Sequence, residues 1–239
     1  MKTEELHIKE THLKIVADEF SLDEVERFVL SRRVELENFI VQDPFFQSTY
    51  EPYPCPEGAS EIVSLLCSAG EKTGIGPMSA VAGTVSFLTA RFILEQGASW
   101  VLVENGGDIA LKINEPYTLG IYAGEESPVK DLGLKLEPRE NIFGICTSSG
   151  TVGPSVSLGV TDAATVISND VPLADSCATL LGNQVRSEIP TDEEMNGYFA
   201  CLKNIRGAEG ALVIVGEKIG LWGNLPKIVR TKNPQFFFG

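Results

Sequence analysis

Histidine is almost absent from this sequence of 239 residues, which contains only two. Both of them, His7 and His12, lie within the first dozen residues. A Ser-His-Asp triad, a Cys-His pair or a histidine-rich metal site must therefore recruit the N-terminal segment or be absent. The simpler expectation is that both histidines are exposed side chains of an opening hairpin.

Basic side chains and long apolar runs are also scarce. Lysine and arginine together number 19 against 33 aspartates and glutamates, a formal net charge of −14 at pH 7. Nucleic acids and anionic membranes attract basic protein surfaces, so this composition argues against both partners. No apolar run approaches the ~20 residues that a membrane span needs, and the first dozen residues have no signal core. We therefore expect a cytoplasmic protein.

Paired cysteines are missing as well. The five cysteines are odd in number, widely spaced and never arranged as CxxC. They are Cys55, Cys67, Cys146, Cys177 and Cys201. This pattern indicates a reduced protein without disulfides or a cysteine metal cluster.

The hydrophobic periodicity changes from helical to strand-like near Trp100, after an opening hairpin predicted at residues 5–17. Ser21 with Glu24 is typical of a capping box, and Thr191 is predicted to cap a later helix. The predicted helices cover about 22–42, 58–72, 77–96, 172–184 and 192–205. The predicted strands cover 99–104, 108–113, 117–123, 133–137, 141–147, 161–168, 211–216 and 219–223. Together these elements indicate an α+β fold with antiparallel strands, in a single domain over residues 1–239.

Residues 141–185 contain no Lys, Arg, Glu or His, and their charged side chains are Asp162, Asp170 and Asp175. Interior strands favour Val, Ile and Leu, whereas this segment is rich in Ser, Thr and Gly. Such a segment is suited to cradling an anion with backbone N–H and hydroxyl donors. The alternative is a set of turns whose hydroxyls are satisfied internally.

Asp175 and Thr179 are four residues apart on a predicted helix, so both oxygens lie on one helical face. A carboxylate with a hydroxyl suits Mg²⁺, which prefers oxygen ligands and keeps several waters. The alternative is electrostatic, because an aspartate near a helix N-terminus is favourable without any ligand.

A glycine pair lies between two predicted strands, in the segment Glu104-Asn105-Gly106-Gly107-Asp108. Two glycines allow positive φ angles and a close approach to a ligand, and the flanking polar residues could bind a head group. The alternative is an ordinary hairpin turn, for which Asn-Gly is a favoured pair.

Three segments resemble the ApbE-like superfamily, whose best-known members are Mg²⁺-dependent FAD:protein FMN transferases. The segments are VENGGDIAL at 103–111, CTSSG at 146–150 and LADSCATLLGN at 173–183. The chain is most similar to a short, cytoplasmic branch of that superfamily found in archaea and anaerobic bacteria. The motifs of that branch are GPMSAVAG at 76–83, YAG at 122–124, TSSGTVG at 147–153 and WG at 222–223.

The resemblance implies an ApbE-like fold, with a mixed, mostly antiparallel sheet and packed helices. It also implies a phosphate-bearing small-molecule ligand, either FAD or FMN, held with Mg²⁺. Asp175 and Thr179 match the metal ligands of the flavin transferases. The positions that match the nucleotide-binding turns are Asn105, Gly106, Gly107, Asp108, Thr147, Ser148, Ser149 and Gly150.

One departure from the flavin transferases concerns histidine. Their HxxDPxTG-like segment after the TSG turn is replaced here by TVGPSVSLGVTD, which contains no histidine. A transfer reaction needs a group that activates the acceptor hydroxyl, and the remaining candidate is Asp162. The departure argues against FMN transfer. It leaves two alternatives: a Mg²⁺-dependent nucleotidyl or phosphoryl transferase with another base, and a non-catalytic accessory protein in sulfide assimilation and homocysteine formation. The acidic, apolar-tailed chain also suggests a homo-oligomer.

Overall fold

The computed structural model describes residues 1–121, 132–148, 159–231 and the backbone of 236–238. Its strands up to the middle of the chain are β1 Lys2–Ile8, β2 Thr11–Ala17, β3 Val101–Asn105, β4 Asp108–Lys112, β5 Tyr117–Ile121 and β6 Leu132–Leu136. The later strands are β7 Phe143–Ser148, β8 Ala163–Ser168, β9 Gly210–Val215, β10 Lys218–Gly223, β11 Lys227–Arg230 and β12 Phe236–Phe238. The helices are α1 Leu22–Gln42, α2 Phe45–Ser48, α3 Glu61–Thr73, α4 Val81–Glu95, α5 Val171–Gly182 and α6 Asp192–Tyr198. Short 3-10 turns at Pro77–Ala80 and Phe199–Leu202 complete this set.

Of the described strands, eight form a large sheet in the order β1-β2-β3-β4-β7-β8-β9-β10, and every neighbouring pair is antiparallel. A smaller sheet has the order β11-β6-β5-β12, and β12 runs parallel to β5. The predicted α+β class with a mostly antiparallel sheet is therefore confirmed.

The large sheet is covered by apolar side chains on both faces because successive residues of a strand point to opposite sides. One face, which we call the helix side, packs against α1, α4 and α5 through residues such as Leu13, Val103 and Val213, and α3 packs on those helices. The other face, the small-sheet side, packs against β5 and β6 through residues such as Leu102, Ile109 and Leu212. Each such buried side chain contributes roughly 1.5–3 kcal/mol of burial free energy, which explains the near-continuous apolar runs in β7, β8 and β9.

Helix α5 begins with a well-formed N-terminus. The Asp170 carboxylate accepts a hydrogen bond from the Leu173 amide at 3.1 Å, and Pro172 occupies the first turn, where its missing N–H is not needed. The helix packs against β7, β8, α3 and α4. This packing places Asp175 over the helix side of the large sheet.

Some local predictions differ from the structure. Thr191 forms a capping box with Glu194, but Ser21 makes no side-chain cap bond, so the first predicted capping box is wrong. The predicted helix at 192–205 is α6 followed by the turn at Phe199–Leu202. Strands β11 and β12 were not predicted, because short strands at a sheet edge show little periodicity.

The stretch Pro77–Glu95 is long and apolar enough to cross a membrane by length and composition, with a mean hydropathy of 1.3. The expectation that no run approached this length was therefore wrong. Within the fold this stretch contacts β3, β4, α1 and α5, which is the environment of a core helix.

Candidate functional site

The glycine turn joins β3 to β4 as a two-residue hairpin connection. Gly106 and Gly107 have φ angles of 61° and 98°, which side-chain-bearing residues rarely adopt. The Gly107 amide donates to Glu104 Oε1 at 2.8 Å. Burial raises the pKa of Glu104, although this hydrogen bond works in the opposite direction. The predicted turn is thus confirmed.

Asn105 is buried and its side-chain amide is engaged by the protein itself. Its Oδ1 accepts from the His12 amide at 3.3 Å, and its Nδ2 donates to the Ala82 carbonyl at 3.3 Å. These bonds tie the hairpin to β2 and to the beginning of α4. Asn105 therefore has a structural task that is sufficient to explain its burial.

Asp108 begins β4 and is buried on the helix side, where it pairs in register with Cys146 of β7. Its carbonyl accepts from Ser86 Oγ of α4 at 2.9 Å. The Cys146 thiol donates to the Val171 carbonyl at 3.8 Å. The backbone of Asp108 is therefore held by both β7 and α4.

Asp175 approaches α4 so closely that only a glycine fits opposite it. Its Oδ2 accepts from the Gly83 amide at 2.7 Å. A Cβ atom added at Gly83 would lie 2.7 Å from the Asp175 Cβ, which is closer than real Cβ contacts. The small residues predicted on this helix face thus allow α4 and the carboxylate to meet.

The charge of Asp175 acts on a second buried carboxyl, that of Asp108. Burial raises the pKa of Asp175 to about 7. Burial and the charge of Asp175 raise the pKa of Asp108 well above its ordinary range. Two ionised carboxylates in one water-poor site repel each other, so a proton on one of them or a bound cation would relieve the repulsion.

The donor set fits a hard divalent cation. Asp175 and the half-buried Thr179 lie four residues apart on α5, as predicted, and Asp108 adds a second carboxylate from β4. Carboxylate and hydroxyl oxygens are ligands that Mg²⁺ prefers. Among the described residues, no group of three or more His, Cys, Asp or Glu side chains could hold a metal. Water or a ligand phosphate would therefore complete the coordination.

The two described residues of the predicted TSSG turn, Thr147 and Ser148, end β7 and point to opposite faces of the large sheet. Ser148 is buried on the helix side, where its Oγ would lie 3.4 Å from a Cβ added at Gly182 of α5. The Thr147 side chain points to the small-sheet side, where its Oγ1 lies 2.9 Å from Thr165 Oγ1 of β8. The Thr147 amide also donates to the Gly107 carbonyl at 3.2 Å, which joins the two predicted turns. Ser149 and Gly150 lie outside the described residues.

Asp162 precedes β8 and holds the β9–β10 turn. Its Oδ2 accepts from the Gly216 amide at 2.8 Å, and its own amide donates to the Ile214 carbonyl. A carboxylate with these partners is typical of a turn-stabilising residue. Its role as a base stays a prediction.

The thiols beside the site are buried. Burial raises the pKa of Cys146 well above its ordinary value and that of Cys177 to about 12. The thiolate is the reactive form of cysteine, and burial disfavours that form at both residues. A role for either of them in sulfur transfer gains no support from this environment.

The site therefore gathers Asn105, Asp108, Ser148 and Asp175 on the helix side and leaves the side chain of Thr147 on the other face. The resemblance already implied that Asp108 and Asp175 belong to one site, whereas reasoning from the residues alone did not connect them and saw Gly83 only as one of several small residues. No local signal connects the two aspartates, because tertiary packing alone brings their elements together.

Comparisons with known proteins agree with this fold. A family model described as "AbpE bacteria" matches residues 2–194. A UPF0280 protein from Methanosarcina acetivorans is 48% identical over 230 residues, covering 96% of this chain and 89% of that protein. A UPF0280 protein from Methanocella arvoryzae is 49% identical over 233 residues, covering 96% and 91%.

Two solved structures share the fold at low sequence identity. The flavinyl transferase ApbE from Pseudomonas stutzeri, in its apo form, superimposes with a TM-score of 0.59 at 13% identity, covering 97% of this chain and 95% of that one. The flavin transferase ApbE from Vibrio cholerae gives 0.53 at 13% identity, covering 97% and 98%. With the relatives above, these similarities show that the chain belongs to the ApbE-like superfamily, in the short branch of the archaeal UPF0280 proteins.

Proposed function

We propose that this protein binds a phosphate-bearing small molecule, with a flavin nucleotide as the first candidate, together with Mg²⁺. Asp175 and Thr179 would hold the metal and Asp108 would face it from β4. These oxygens would hold a Mg²⁺ ion, which would supply positive charge for a phosphate-bearing ligand. The protein would bind this ligand in the cytoplasm.

The observation that carries this proposal is the pair of buried carboxyls. The Asp175 charge contributes to the raised pKa of Asp108, and both groups lie in a site that water scarcely reaches. Burying two carboxylate charges in one site costs free energy unless a proton or a cation neutralises them. A divalent ion that is itself bound to a phosphate would compensate both at once.

Flavin enters as the first ligand to test because the structural neighbours are flavin transferases by name. FMN transfer itself is not part of the proposal. The histidine-containing segment is replaced, and His12, one of the chain's two histidines, belongs to a hairpin strand whose neighbouring residue Leu13 packs on the helix side. Alternation therefore places the His12 ring on the opposite face from Asp175.

Equilibrium titration tests the proposal directly. FAD, FMN and ATP are each titrated into the protein by calorimetry, with and without Mg²⁺. We expect Mg²⁺-dependent binding of at least one of them, weakened about tenfold or more by Asp175→Asn. The exposed Glu57→Gln is the control and should bind as the parent does. No binding of any of the three, or binding that Asp175→Asn and Mg²⁺ leave unchanged, would disprove the proposal.

A Mg²⁺-dependent nucleotidyl or phosphoryl transferase is the second candidate. The raised pKa of Asp108 favours it, because burial makes this carboxylate a stronger base than an ordinary aspartate. Incubation with FAD and Mg²⁺ followed by chromatography would detect FMN and AMP. Product formation that Asp108→Asn abolishes supports this candidate, whereas unchanged FAD counts against it.

A further inference from the structure

The two histidines of the chain face each other across the first hairpin. β1 and β2 pair in antiparallel register with His7 opposite His12 and Ile8 opposite Thr11 next to the turn. In a hairpin with a two-residue turn, the pair after the closing pair is a non-hydrogen-bonded one, whose side chains lie closest together. The two imidazole centroids are accordingly 4.5 Å apart, with the rings nearly perpendicular.

Both rings line an open groove of about 180 Å³ on the surface of the large sheet. The other lining residues are Glu5, Leu13, Lys14 and Glu104. Glu5 Oε2 is 3.8 Å from His7 Nε2, and the His7 side chain is 60% exposed. Two imidazoles thus share an accessible groove with two carboxylates, and Lys14 lies between those carboxylates, opposite Glu5 of β1 and Glu104 of β3.

We propose that His7 and His12 form a binding site for a late first-row transition-metal dication such as Zn²⁺, Ni²⁺ or Cu²⁺. Imidazole nitrogen suits these ions, whereas Mg²⁺ and Ca²⁺ prefer all-oxygen sites. The two rings supply two ligands from one rigid strand pair. The Glu5 carboxylate lies within reach to contribute charge, and water completes the coordination.

The proposed site offers a metal ion two histidine ligands and no complete set of three protein ligands. No group of three or more His, Cys, Asp or Glu side chains is arranged for a metal among the described residues. The ion would therefore keep open positions, as in sites that exchange metal or bind an additional ligand. This site is distinct from the carboxylate pair, because His12 points to the face of the large sheet opposite Asp175.

The scarcity of histidine makes this proposal easy to test. His7 and His12 are the only histidines, so the imidazole region of a ¹H–¹⁵N NMR spectrum reports on this site alone. The protein is titrated with Zn²⁺ while the ring signals are followed, and binding is measured by calorimetry with Zn²⁺ and Ni²⁺. His7→Gln and His12→Gln remove one ligand each, and Cys55→Ser removes the exposed thiol. Thermal melts verify that each variant is folded.

We expect the ring signals of both histidines to shift together and to saturate at one equivalent of Zn²⁺. Each histidine variant should weaken binding about tenfold or more, and Cys55→Ser should leave it unchanged. Ring signals that stay constant in excess Zn²⁺ would refute the site. Binding that disappears only in Cys55→Ser would assign the metal to the thiol instead. Equal shifts with millimolar Mg²⁺ would also contradict the proposal, since an imidazole pair does not select that ion.

Discussion

Replacing Asp175 by asparagine should stabilise the ligand-free protein above neutral pH. Asparagine has the same shape, and its Oδ1 can still accept the 2.7 Å hydrogen bond from the Gly83 amide. What the substitution removes is a carboxylate that is buried without a cation. Burial raises the pKa of Asp175 from 3.8 to about 7, so ionisation is less favourable in the folded chain than in the unfolded one.

The sign and the pH range follow from proton linkage. Between about pH 4 and pH 7 the folded state holds a proton that the unfolded state has lost, so the free energy of unfolding falls as pH rises. The cost of Asp175 is absent below pH 4 and complete above pH 7. The difference between 3.8 and about 7, at about 1.4 kcal/mol per pKa unit, sets a ceiling of about 4 kcal/mol.

Thermal unfolding measured from pH 4 to pH 8.5 checks this prediction. For a chain of this size, 2–4 kcal/mol corresponds to an increase in Tm of roughly 5–15 °C. We expect Asp175→Asn to exceed the parent by such an amount at pH 8 and to match it near pH 4. Glu57→Gln, an exposed change of the same chemistry, should follow the parent throughout. A destabilised Asp175→Asn at pH 8 without added metal would refute the reasoning, because it would mean that the ionised carboxylate is favourable where it lies.

Three further predictions concern packing, capping and thiol exposure. Gly83→Ala should lower the free energy of unfolding in urea by about 1–3 kcal/mol, because its Cβ would lie 2.7 Å from the Asp175 side chain. Gly197→Ala, whose Cβ would meet open space, should be neutral or slightly stabilising. Equal effects of the two substitutions would contradict the close approach. Thr191→Ala should lower the free energy of unfolding by about 1 kcal/mol and Ser21→Ala by only about a few tenths, because of these two hydroxyls only that of Thr191 accepts a cap hydrogen bond. The reverse order would contradict the cap assignment. Neutral-pH alkylation followed by mass spectrometry should modify Cys55 first, because the other described cysteines are buried or half-buried; early modification of a buried thiol would show that the core opens.

Local sequence patterns determined much of this molecule. Alternation over residues 5–17, helical spacing after Ser21 and the glycine pair at 106–107 each predict an element within a few residues of its observed bounds. These signals are strong because side-chain periodicity and positive φ angles are properties of the chain over short distances. Asp175 and Thr179 could be paired from sequence for the same reason, since four residues make one helical turn.

Tertiary structure decided what the sequence pattern left open. Asp108 comes under the electrostatic influence of Asp175, and Gly83 reaches that carboxylate, only because α4 and α5 pack side by side on one face of the large sheet. The same packing explains why Pro77–Glu95 has the composition of a membrane span: a helix enclosed by other elements is apolar on most of its surface. The faces to which Thr147 and His12 point also depend on strand register, where a shift of one residue would exchange the two sides. The sequence by itself therefore determined most of the elements and the candidate oxygen donors, whereas the fold decided which of those oxygens share a site, because that depends on contacts between distant parts of the chain.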